Sequence, residues 1–176
     1  FPFAQDGAYR IEIVREDGIA YINTTTTRGK VWSLIETVSD EVRDTLRKNI
    51  DTVRSSLVKK INTLRMSLGQ DMVVLDSELT RLAQMKADDM VARGYAAHRD
   101  PDGNFIDGFA TKRGFDLQSA LGENIAYGTI SDLALQDGLE ESGSHRYNML
   151  RGEWKKIGIG YALSGGKTYL VQVFSE

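Results

Sequence analysis

The chain contains only two histidines, His98 and His145, and they flank an acidic run, Gly122-Glu123-Asn124-Ile125-Ala126. Imidazole and carboxylate groups are the commonest side-chain material for an acid–base pair or a divalent-metal site. Two neutral imidazoles and one carboxylate would leave the fourth position of a zinc ion to water, the arrangement that activates water for attack. A lone histidine is as readily a surface or hydrogen-bonded residue, so a shared site and two unrelated imidazoles both stay open. Gly122-Glu123-Asn124 reads as a turn, with freedom at Gly122 and Asn124 satisfying local backbone groups. A carboxylate held there either faces the imidazoles or bonds a neighbouring element.

Other polar clusters carry less chemistry. Asp100-Pro101-Asp102-Gly103 lacks the spaced acids and closing Glu of a calcium loop, and reads as a tight turn. Ser142 and Ser144 lie beside His145, but no Gly-x-Ser-x-Gly elbow surrounds them. Gly158 and Gly160 open a strand rather than a helix, so a phosphate loop is a poor reading. They suit close packing of a helix over a sheet.

Three regions of different period must position these groups. Residues 1–30 read as a hairpin: Tyr9–Val14 alternates, Asp17-Gly18 turns, Ile19–Ile22 resumes, and Thr24–Thr27 extends the β character. Over 31–68, Leu34, Val38, Val42, Leu46, Ile50, Val53, Leu57, Ile61, Leu64 and Leu68 recur at steps of three or four. That spacing predicts one long amphipathic helix, or two in series. It either self-associates or folds back on its own hairpin. Asp76 or Ser77 caps a helix that ends at Gly94, residues 95–122 are loop-rich, and Ser131-Asp132 starts a helix to about 141. Two strands, 157–162 and 168–174, close an antiparallel hairpin. The order fits an α+β layer architecture.

Composition sets outer limits. At 176 residues the chain fits one domain, or one domain plus an appendage, and 41% hydrophobic content supports a core. A net charge of -3 gives no reason to expect nucleic acid as partner. The absence of cysteine excludes disulfides, thiolate metal sites and Cys nucleophiles. No apolar run is long enough to span a bilayer.

Several motifs in order resemble one family. They are Asn62-x-x-Arg65; Leu75–Leu79 with Leu82-Ala83-Gln84-x-Lys86-Ala87-x-x-Met90; His98-Arg99-Asp100-Pro101-Asp102-Gly103; and Gly122-Glu123-Asn124-Ile125. Ser142-Gly143-Ser144-His145-Arg146-x-Asn148-x-Leu150, Ile157–Gly160 and Gln172-Val173-Phe174 complete the series. Over residues 58–176 this is similar to the CAP superfamily (cysteine-rich secretory proteins, antigen 5 and pathogenesis-related 1; SCP-like), in its cysteine-free bacterial branch. The resemblance implies an α-β-α sandwich with a small antiparallel sheet between helices, here preceded by the N-terminal hairpin and long helix of residues 1–57. It also implies export to the cell envelope or outside, and a cleft whose His-Glu-Glu-His set holds a divalent metal, often zinc, in some members. His98, Glu123 and His145 match three of those four positions and are the candidate metal ligands and candidate catalytic residues. Ser142 stands at the second acidic position, Glu141 is one residue off register, and Leu139 replaces the family's Trp.

Two functional expectations follow. The first is an exported binding module taking a small or lipid-like ligand, or a divalent metal, without turnover. The alternative is a metal-dependent, peptidase-like hydrolase using the same cleft. The missing second carboxylate favours the first. Self-association through helix 31–68 is a further expectation.

Overall fold

The computed structural model describes residues 8–12, 23–27, 40–117, 119–129, 132–164 and 167–176. The expected turn at Asp17-Gly18, the run Ile19–Ile22 and the start of the long helix at 31–39 lie outside the described residues. The chain divides into two compact units, Pro2–Asp51 and Thr52–Glu176. In the first, β1 (Ala8–Glu12) pairs antiparallel with β2 (Asn23–Thr27), Ala8 opposite Thr27 and Glu12 opposite Asn23.

The long helix α1 spans Asp40–Ser67. In the second unit its inner face is Leu57, Val58 and Ile61, all buried. The expected stripe continues through Leu68, but Leu68 is exposed and fully buried Arg65 takes the inner face instead. The reason is the chain reversal that follows: the Arg65 guanidinium donates to the carbonyls of Asp71, Met149 and Arg151 at 2.6, 2.7 and 3.0 Å. Asn62 and Val73 exchange a reciprocal pair of bonds, each 2.9 Å. Together these tie the end of α1 to β3 (Val74–Leu75) and to the loop after the last helix.

Helix α2 (Ser77–Arg93) begins where expected. The Asp76 carboxylate accepts from the amides of Glu78 and Leu79, both at 2.9 Å, and so satisfies two of the free N–H groups at the helix start. Gly94 ends it at φ 69°, a left-handed conformation that glycine adopts without strain. The region 95–122 is not all loop: Ile106–Lys112 forms a short helix, α3, which buries Ile106, Phe109 and Ala110.

The Gly-Glu-Asn run is not a turn. It lies inside β4 (Leu121–Gly128), and Gly122 is needed for space rather than for its backbone freedom. A Cβ at Gly122 would sit 2.7 Å from Trp154 Cζ2 and 2.8 Å from Asn148 Oδ1. Helices α4 (Asp132–Glu141) and α5 (Gly143–Met149) follow, then β5 (Lys156–Ser164) and β6 (Lys167–Ser175).

The sheet runs β3-β5-β6-β4. Its β5–β6 ladder is antiparallel, as expected; β4, read from the sequence as a turn, adds a second antiparallel ladder on β6, and β3 joins β5 in parallel, so the sheet is mixed. Period-two alternation sends neighbouring side chains to opposite faces. Leu170 and Phe174 pack with Leu57, Ile61, Leu135 and Leu139 under α1 and α4. Val171 and Val173 pack with Leu79, Leu82, Ala83 and Phe109 under α2 and α3. The result is an α-β-α sandwich. Gly158 and Gly160 are where α2 comes closest: a Cβ on them would lie 2.1 and 2.0 Å from backbone atoms of Leu79 and Ala83.

Candidate functional site

Glu123 and Asn124 are neighbours on β4, so they face opposite sides of the sheet. Glu123 shares the α2 face with Ile125 and Leu121, which pack in that core. His98 comes from the loop after α2 and meets it. His98 Nδ1 lies 2.6 Å from Glu123 Oε2, with the carboxylate side chain only 5% exposed and the imidazole 48%. This bond raises the His98 pKa above its usual value, against burial and the charge of Lys86. The other carboxylate oxygen, Oε1, is buried and has no hydrogen-bond partner among the described residues.

The loop carrying His98 is anchored from two directions. Asp100 Oδ1 accepts from the amides of Asp102 and Asn104 at 3.0 and 2.8 Å, and Gly103 N–H donates to the Asp100 carbonyl at 2.9 Å. This is the tight turn expected, with the Asp100 carboxylate occupied internally. From α2, the fully buried Lys86 ammonium donates to the His98 carbonyl at 3.0 Å. It also lies 5.2 and 5.1 Å from the ring centres of Tyr95 and Phe109, within cation–π range. Burial pushes the Lys86 pKa down. In the sequence Lys86 is one more position of a helical pattern, because a lysine there looks solvated until the fold covers it.

His145 sits on α5. Its Nδ1 lies 2.9 Å from Ser142 Oγ, so this imidazole has a neutral hydroxyl partner rather than a carboxylate. Burial lowers the His145 pKa, and the nearby positive charge of His98 lowers it further. The two imidazoles are thus electrostatic neighbours with opposite preferences. Neither Glu140 nor Glu141 fills the gap. Glu140 accepts from Gln136 at 3.0 Å and faces Lys60 at 3.9 Å, while Glu141 is exposed.

A buried amide relay holds the two sides of the site in register. Asn148 Nδ2 donates to the Glu123 carbonyl at 3.1 Å and to Asn124 Oδ1 at 3.0 Å. Asn124 Nδ2 donates to the His145 carbonyl at 3.1 Å and to Gln172 Oε1 at 3.0 Å. Gln172 Nε2 then donates to Gln136 Oε1 at 2.6 Å. Asn124, Gln136 and Gln172 are all buried, so the two bonds among them form where water cannot substitute. Gln136 was invisible in the sequence, since it lies in a helix with no local motif.

Two imidazoles and an unpartnered carboxylate oxygen are the right donor types for a borderline metal such as zinc. They are not assembled as a cage. Glu123 Oε2 is spent on His98, and among the described residues no three His, Asp or Glu side chains are grouped to hold an ion.

Comparison with known proteins agrees with this architecture. The family model of the cysteine-rich secretory protein family, CAP, matches residues 58–174. An outer surface protein of Borrelia burgdorferi is similar in structure, with a TM-score of 0.64 at 19% identity, over 71% of this chain and 92% of that one. An extracellular protein containing an SCP domain from Bacillus anthracis matches with a TM-score of 0.59 at 21% identity, over 69% of this chain. A cysteine-rich secretory protein of Staphylococcus aureus matches with a TM-score of 0.54 at 17% identity, over 72% of this chain. This chain spans only 39% and 38% of the last two proteins. No curated protein sequence matches it. No helix among the described residues is long and apolar enough to cross a membrane. With two-thirds of its length matched to the family and the fold in agreement, the chain belongs to the CAP, or cysteine-rich secretory protein, family.

Proposed function

We propose that this CAP domain is an exported, extracytoplasmic binding module whose cleft at His98, Glu123 and His145 seats a ligand without turning it over. The observation that carries the reading is Glu123 Oε1, a buried carboxylate oxygen with no donor among the described residues, next to an imidazole that already holds its twin. Such an oxygen is costly to leave unmade and is satisfied when a ligand brings a hydrogen-bond donor or a cation. A small or lipid-like molecule with one polar end fits that requirement. A divalent metal such as zinc fits only in donor type: His98, His145 and Glu123 would hold it together only after Glu123 Oε2 leaves His98. The similarity to extracellular and outer surface proteins supports export.

The hydrolase reading is weaker. With Glu123 bound to His98 and Ser142 bound to His145, no further carboxylate among the described residues is bonded to either imidazole as a general base would be. Self-association through residues 31–68 remains a proposal for the part of the helix before Leu57, because Leu57, Val58 and Ile61 are core residues.

The test is zinc calorimetry and metal analysis on protein purified without chelator, with His98→Ala/His145→Ala and Glu123→Gln variants alongside. The binding reading expects weak zinc uptake, abolished in both variants, and no peptide cleavage. Cleavage that disappears together with stoichiometric zinc in the double variant would replace it with the hydrolase.

A further inference from the structure

β5 is longer than the strand beside it. β3 pairs only Val74 and Leu75 with Lys156 and Ile157, and the chain then turns into α2 at Ser77. β5 runs on to Ser164, and beyond Ile157 no strand lies on that side of it among the described residues. Asp76 N–H donates to the Ile157 carbonyl at 2.8 Å, so odd-numbered β5 residues turn their backbone away from β6. Ile159 and Tyr161 therefore face the edge. Such an edge is a template for another strand, and proteins commonly blunt it with a charge, a proline or a bulge. β5 carries none of these: residues 157–164 include no charged residue and no proline. Its ladder on β6 keeps one register from Lys156 opposite Ser175 to Ser164 opposite Lys167.

Side chains from both helical layers blunt it instead. Gln84 of α2 meets Tyr161 as a strand residue would: its Nε2 donates to the Tyr161 carbonyl at 2.9 Å, and its Oε1 accepts from the Tyr161 N–H at 3.1 Å. Arg54 of α1 reaches the same edge from the other face of the sheet. Its Nε donates to the Ile159 carbonyl at 3.0 Å and its Nη2 to Gln84 Oε1 at 2.8 Å, so the two layers meet around the strand. Asp88, one turn along α2, accepts the second Gln84 N–H at 2.9 Å. Both donors and both acceptor positions of the Gln84 amide are thus in use. On β3 the reciprocal pair of Asn62 and Val73 repeats the device, an amide side chain standing in for a strand.

We infer that Arg54 and Gln84 form a seal that blocks the β5 edge of this chain from pairing with β5 of a second copy. The seal is independent of what the cleft binds. The excluded contact is a two-fold one, in which the outward groups of Ile159 and Tyr161 on each copy would satisfy those on the other. The charge-free sequence of β5 offers nothing to repel that pairing, so its prevention falls to the two side chains that already occupy the same main-chain groups.

The test is sedimentation of the full chain over a concentration series, with amide hydrogen exchange at Tyr161, for the parent and for Gln84→Leu, Arg54→Met and Asp100→Ala. Gln84→Leu keeps a helix-forming side chain of similar size but takes both partners from the Tyr161 main chain. It should gain mass with concentration beyond that of the parent. Its Tyr161 amide should exchange about tenfold faster than the parent's in dilute solution, and slow again as the larger species forms. Arg54→Met uncovers the Ile159 carbonyl and should give the same gain more weakly, which decides the matter if Gln84→Leu does not fold. Asp100→Ala removes bonds from the 100–104 turn rather than from the sheet edge, and should keep the parent's mass. The inference is overturned if the edge variants keep the parent's mass throughout, or if they associate while the Tyr161 amide stays fast. It is equally overturned if Asp100→Ala associates to the same extent, since association would then follow lost stability rather than an open edge.

Discussion

Lys86 reaches His98 from behind: its buried ammonium donates to the His98 carbonyl while the His98 ring, on the other side, bonds Glu123. One helix residue therefore sets the height of the loop that presents the imidazole. Replacing Lys86 with Met keeps the volume but leaves that carbonyl without its donor. We expect a loss of about 1–3 kcal/mol in urea denaturation, from the unsatisfied acceptor. An unchanged or higher stability would mean that relieving the buried charge outweighs its bond and its two ring contacts.

Glycines of the same chain should respond to alanine with opposite signs. A Cβ at Gly160 would meet the Ala83 carbonyl oxygen at 2.0 Å, backbone that cannot move without shifting α2. Gly160→Ala should destabilise by about 3 kcal/mol or more, as overpacking against a rigid neighbour does. Gly138 lies in α4 with nothing within 4 Å of a new Cβ. Gly138→Ala should stabilise by about 0.5–1 kcal/mol through lower chain entropy. Thermal melts of the two variants give the comparison directly.

The imidazoles should pull stability in opposite directions with pH. His98 is raised by its bond to Glu123, so its contribution is complete below about pH 6.5 and fades as pH rises through the folded value. His145 is lowered by burial and by His98, so the fold resists its protonation. That penalty is absent above about pH 6.5 and grows as pH falls below it. His98→Gln should therefore cost most in acid and progressively less toward pH of about 8, while His145→Gln should gain on the parent as pH drops toward about 5. Denaturation midpoints across this range decide it. Parallel curves for both variants would show that neither shift exists in solution.

The amide relay predicts a cost that spreads beyond its own residue. Gln172 accepts from Asn124 and donates to Gln136 inside the protein. Gln172→Leu leaves both partners short of a bond, so about 2 kcal/mol or more should be lost, at roughly 1–3 kcal/mol per orphaned group. The double variant Gln136→Leu/Gln172→Leu should be less than additive, since the first change already breaks the link. Additive losses would mean that the bond between them does not form.

Local chemistry was legible along the chain wherever a neighbour in sequence does the work. The Asp76 cap, the Gly94 stop and the Asp100–Gly103 turn close within a few residues, and each forms as its residues dictate. The glycine pair at 158 and 160 was readable for a related reason, since two missing side chains on one strand face imply something close above it. Gly122 was misread because glycine in a polar run looks like a turn, whereas its neighbour is Trp154, far along the chain.

What the linear order determined is the fold class and the family, with His98, Glu123 and His145 as candidates. Whether the pieces act together depended on pairing over long separations. The β6–β4 ladder puts Glu123 opposite Val173 and aims it at His98, and the same ladder turns Asn124 to the other face to hold His145. Burial of Lys86, Gln136 and Gln172 arises only when helices close over both faces of the sheet. A side chain's solvation and partners belong to the folded surroundings rather than to its type, and that is why the tertiary structure alone decided which polar groups gather around His98 and His145.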